Sequence, residues 1–151
     1  MTQETLGARR DVLALVLDAL VPASAGFPGA GAVALDHVLA MAAASADVER
    51  LLSDGLQVVV VEASQVIGAA GLASLSVDDR ENVLRRVEQS HADFFQALVR
   101  HTYDGYYSHP TVIARLGLDA SPLHPRGHRV EAVDLPDLAR VSARGPIYRP
   151  A

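Results

Sequence analysis

"VERLLSDGLQVVVVEASQVIGAAG", residues 48–71, decides the fold class of this chain. Taken alone, Val58 to Val61 are a run of β-branched residues of the kind that favours a strand. The flanks disagree. "VERLLSDGLQ" and "EASQVIGAAG" carry their apolar residues at spacings of three and four, the period of a helix. The spacing therefore predicts one long helix over roughly 47–70, and with it an all-α protein. Leu51, Leu52, Leu56, the four valines, Val66 and Ile67 cover more than one face of that helix. Such a helix is central in a bundle or covered by a partner.

The segments on either side agree with a helical bundle. In 6–21, Leu13, Val16, Leu17, Leu20 and Val21 form an amphipathic stripe, and Pro22 ends it. "PASAGFPGAG", 22–31, is a loop of small residues in which Pro28-Gly29 is a strong turn signal. An alanine-rich helix follows over 32–44, with a break near Ser45 to Asp47. Downstream, Ser76 with Asp79 and Ser90 with Asp93 each read as an N-cap followed by an acid three residues on. The second of these helices carries Phe94, Phe95, Leu98, Val99 and Thr102, and Gly105 relaxes or ends it. Pro110 restarts a short helical piece, as proline in a first turn allows. The expected architecture is a small bundle of about five helices, residues 1–118. From Asp119 onward five prolines fall in 33 residues with little periodicity. Residues 119–151 read as an irregular, extended arm that wraps a partner.

Composition excludes several functions. Half of the 151 residues are hydrophobic and the mean hydropathy is +0.18, enough for a real core in one domain. The formal charge of −5 argues against nucleic-acid binding, which needs a basic face. There is no cysteine and no lysine, which removes disulfides, thiolate chemistry and lysine Schiff bases. Gln57, Glu62 and Gln65 spoil the best membrane candidate, residues 56–73. The apolar stretch after Arg9-Arg10 is interrupted by Asp11 and Asp18 and lacks a small-residue cleavage site, so a cytoplasmic protein is expected.

Nothing in the sequence assembles a catalytic unit. His124 and His128 cannot form a regular i,i+4 ligand pair, because Pro125 and Gly127 break the helix between them. His101 and His109 flank Gly105 at a spacing of eight, and surface or capping roles are the expectation for all the histidines. Asp78-Asp79 suit a helix first turn. Ser24 has no nucleophile-elbow context, and "GFPGAG" follows a helix, not a strand, so it is not a dinucleotide loop. Asp104, among tyrosines, reads as a turn or helix-end residue. Five of the seven aromatic residues lie in 91–110: Phe94, Phe95, Tyr103, Tyr106 and Tyr107. Tyrosine favours interfaces with one wet and one dry side, so this segment reads as half core and half partner surface.

Two stretches carry a resemblance. "DALVPASAGFPGAGAVALDHVL" (18–39) and "FFQALVRHTYDGYYSHPTVIARLG" (94–117), in that order, resemble the gluconate 2-dehydrogenase subunit 3 family. Pro22, Pro28, Gly29 and Ala30 match the first motif; Tyr103, Gly105, Tyr106, Tyr107, Ser108 and Pro110 match the second. The chain departs from the family after the aromatic segment and has no tryptophan. The resemblance implies a non-catalytic small subunit that binds and stabilises a large flavoprotein of the glucose-methanol-choline type, as a heterodimer or higher hetero-oligomer. FAD and the catalytic histidines then belong to the partner, and no cofactor or metal to this chain. Expected contact residues are Pro22, Phe27, Pro28, Gly29, Tyr103, Tyr106, Tyr107, Pro110, Pro122, Pro125, Gly127 and Tyr148. Two alternatives are an independent ligand-binding protein or enzyme built on His101, Asp104 and the tyrosines, and a transient folding chaperone for the flavoprotein.

Overall fold

The structure is a computed structural model that describes residues 6–67, 71–118 and 143–145. The helical unit spans residues 1–120 and a second unit 121–151. Of the expected arm, all but 143–145 lies outside the described residues, Pro122, Pro125, Gly127 and Tyr148 included.

Among the described residues there is no strand. A 3-10 turn, Leu6–Arg9, leads into α1 (Arg10–Leu20). Then come α2 (Ala30–Val33), α3 (Leu35–Ala44), α4 (Ala46–Ile67), α5 (Val77–Ser90), α6 (Ala92–Ser108) and α7 (Pro110–Arg115). A second 3-10 turn, Leu72–Ser74, precedes α5. The five helices of ten residues or more are those expected, and the four valines are helical. No helix among the described residues is long and apolar enough to cross a membrane.

The valine run shows why helix wins. Within α4 the buried apolar side chains are Leu52, Leu56, Val59 and Ala63, an i, i+4, i+7, i+11 stripe. Val61 and Val66 face solvent, so α4 is not central, despite its composition. It packs on α3, α5 and α6. The core continues through Leu13, Val16 and Leu17 of α1, Val38 of α3, Val83 and Val87 of α5, and Leu98 of α6. Across the α4–α6 contact a Cβ on Gly55 would run into the Phe94 ring, so this crossing needs glycine.

Three local expectations are corrected. Ser76 caps α5 as read, accepting from the Asp79 N–H at 3.1 Å. Ser90, however, is the last residue of α5, and its hydroxyl donates to the Arg86 carbonyl at 2.9 Å. His91 alone joins α5 to α6, without a side-chain cap bond. Gly105 does not end α6, which runs three residues further. The tight turn of the 22–31 loop falls at Ala25-Gly26 (φ +42° and +87°), with reciprocal Ser24–Phe27 backbone bonds of 3.1 and 2.7 Å. Positive φ at both central residues is the type I′ requirement. Gly29 instead is extended and precedes α2.

Candidate functional site

The two sequence motifs, 76 residues apart in their starts, meet in the fold. The first folds around Asp18 of α1, whose carboxylate accepts the Gly31 N–H at 2.7 Å. The Ala30 N–H donates to the Val21 carbonyl at 2.9 Å. The buried first turn of α2 is thereby satisfied from the end of α1, which a four-residue helix cannot do for itself. Gly31 packs against the Ala14 carbonyl with no room for a side chain.

The second motif reaches the first through one bond. The Tyr106 hydroxyl donates to the Pro28 carbonyl at 3.0 Å, and Tyr106 is 4% exposed. Its burial raises the ionisation of that hydroxyl above the ordinary phenol value, with the neighbouring Tyr107 adding to the rise. Tyr103 and Tyr107, one turn apart on the adjoining outward face of α6, remain 45% and 55% exposed. Tyr107 stacks edge-on with both Tyr103 (centroids 5.8 Å apart) and Tyr106 (5.2 Å). The aromatic segment is thus one buried latch with an exposed tyrosine pair built onto it.

The other expected contact residues are spread around this junction. Phe27 and Pro28 are half-buried, and Gly29 is buried. Pro22 and Gly29 line a groove of about 410 Å³ with Val77 and Arg80. Pro110 is exposed at the start of α7, whose other end carries exposed Leu116 and Leu118. That end closes through Gly117 (φ +74°), with the Gly117 N–H on the Ala114 carbonyl and the Leu118 N–H on that of Ile113, a Schellman arrangement. A larger groove, about 680 Å³, lies elsewhere, between α4 and the α5–α6 joint, with Asp47, Arg50, Asp54 and Asp93 around its rim.

A second cluster sits on α6 itself. His101 and Asp104, three residues apart on one helix, meet His37 of α3. One ligand atom from each lies within 4.8 Å of the others. His37 Nε2 and His101 Nδ1 are buried without a hydrogen-bond partner. Burial lowers the His101 pKa from its ordinary value; Arg100 and His37 act the same way, and Asp104 opposes them. Asp104 also faces Arg100 at 3.9 Å on the exposed surface. Gly105 completes the arrangement, since a Cβ there would stand 2.8 Å from the His37 Cβ. Sequence reading picked out His101 and Asp104 but not His37, which follows them only through the α3–α6 packing. Asp18 was missed as well; its signal was an acid facing a glycine-rich helix start.

No curated protein and no solved structure matches the chain. Residues 8–121, which hold both motifs and every contact described between them, match the family of gluconate 2-dehydrogenase subunit 3, and the chain belongs to that family.

Proposed function

We propose that this chain is the non-catalytic small subunit of a flavin-dependent dehydrogenase or oxidase of the glucose-methanol-choline type, acting on an alcohol or sugar hydroxyl. In this reading the large partner holds the FAD and performs the reaction, and this chain stabilises it by covering apolar surface. Permanent complexes of this kind bury roughly 2,000 Å² or more. The family name supports a dehydrogenase assembly. The observation that carries the docking half is the exposed Tyr103–Tyr107 pair, in edge contact through Tyr107 with the buried Tyr106 inside the motif that marks the family. Amphipathic rings with two fixed dihedrals are favourable interface anchors.

The test is size-exclusion chromatography of this chain alone and co-expressed with a large flavoprotein encoded beside it, read at 280 and 450 nm. Co-elution in a yellow, active complex supports the reading. A colourless chain that elutes alone whether or not the flavoprotein is present overturns it.

A further inference from the structure

We propose that His37, His101 and Asp104 form a binding site for a divalent first-row transition ion of the zinc type, held by two imidazoles and one carboxylate between α3 and α6. The site does not depend on the subunit reading above. Three observations converge on it. The donor atoms of the three residues already lie within 4.8 Å of one another. Around a tetrahedral ion with bonds near 2.0–2.1 Å, donors stand about 3.3 Å apart, so closing the set takes side-chain adjustments of roughly 1–2 Å.

Secondly, His37 Nε2 and His101 Nδ1 are buried and satisfied by no protein group. Buried polar atoms in native proteins nearly always have a partner, and a metal ion satisfies an imidazole lone pair that no protein donor reaches. Thirdly, the backbone is shaped for the cluster. Gly105 lies in the last turn of α6, where glycine still costs up to about 1 kcal/mol relative to alanine. Its missing Cβ is what lets His37 lie against α6 beside His101 and Asp104.

Two nitrogens and one carboxylate oxygen suit a zinc-type ion better than magnesium or calcium, which prefer all-oxygen ligand sets. Three protein ligands leave a fourth position open. Asp104, exposed on the outer side of the cluster, puts that position toward solvent. The ion would clamp α3 to α6 with ligands far apart in sequence.

The test uses the full chain, stripped with EDTA and titrated with zinc chloride against a chromophoric chelator. Cobalt chloride reports the coordination through its visible d–d bands. The expected result is one ion per chain, a low-coordinate cobalt spectrum and a higher Tm with zinc. His101→Gln and Asp104→Asn should each weaken binding at least about tenfold, the loss typical even for residues that only support a ligand. The exposed Asp104 position keeps that variant folded, as its circular dichroism checks. A His124→Ala/His128→Ala variant, which removes the other closely spaced histidines, should bind as the parent does. The proposal is overturned by the absence of stoichiometric binding, by unchanged affinity in both cluster variants, or by a loss that follows His124 and His128 instead.

Discussion

Tyr106 and His101 lie within two turns of α6, and burial shifts their two pKa values in opposite directions, because it disfavours the phenolate of one and the imidazolium of the other. The Tyr106 hydroxyl is the bond that ties α6 to the 22–31 loop, so Tyr106→Phe removes the donor and leaves the Pro28 carbonyl without it. We expect a loss of about 1–2 kcal/mol in urea unfolding, against no measurable change for Tyr103→Phe, whose hydroxyl is exposed. His101 supplies a pH dependence in the metal-free chain. Its folded pKa lies below the ordinary 6.5, first through burial and then through Arg100 and His37, against the pull of Asp104. Between the folded value and 6.5 the unfolded chain therefore binds more protons. Stability is full above about 6.5, falls as pH drops toward the folded value and levels off beneath it. An NMR titration of the His101 ring protons in EDTA, beside urea unfolding at several pH values, checks both halves. An ordinary or raised His101 midpoint would contradict this account.

At the scale of elements, Ser76 and Ser90 look alike in sequence and differ in the fold. Ser76→Ala should cost about 1 kcal/mol, because the Asp79 N–H loses its acceptor. Ser90→Ala should be near neutral, since its hydroxyl meets only the Arg86 carbonyl and the neighbouring His91 Nδ1, both on the exposed surface. Thermal unfolding of the pair separates a cap from its imitation. The confusion has a physical source: a cap signature assumes a non-helical residue before the helix, and α5 runs directly to the single junction residue His91. Gly105 misled in the same way. Glycine is a helix breaker by propensity, but here it answers to His37 on another helix, a contact no local window contains. Gly105→Ala should thus destabilise by about 1–3 kcal/mol through overpacking, reversing the gain that propensity alone predicts. The valine run was legible for the opposite reason. The flanks that set its period are on the same helix, so spacing alone chose helix over strand, while the buried face of Leu52, Leu56, Val59 and Ala63 came only from the packing.

At the scale of the whole molecule, the legible part was the class and the order of helices, together with two motifs whose residues converge on one junction. What sequence could not divide was the tyrosine cluster, because Tyr103, Tyr106 and Tyr107 differ only in rotation about α6. The fold assigns Tyr106 to the interior and leaves Tyr103 and Tyr107 outside, with Val61, Val66, Val77, Leu116 and Leu118 as further exposed apolar side chains. Scattered apolar residues are ordinary on a surface; two stacked tyrosines anchored on a buried third are a preorganised contact. This separates the folding role of the segment from the docking role proposed for it, and a single variant can probe the difference. Tyr103→Glu/Tyr107→Glu alters exposed positions only, so the isolated chain should keep its helix content and most of its stability, each exposed change costing about 0.5 kcal/mol or less. Placed against a partner, the same two carboxylates are buried without counter-charge, which no hydrophobic contact compensates. Co-purification with the flavoprotein should then fall sharply while circular dichroism of the free chain is unchanged. A complex that forms as well with the glutamates as without them would show that the subunit docks through another face.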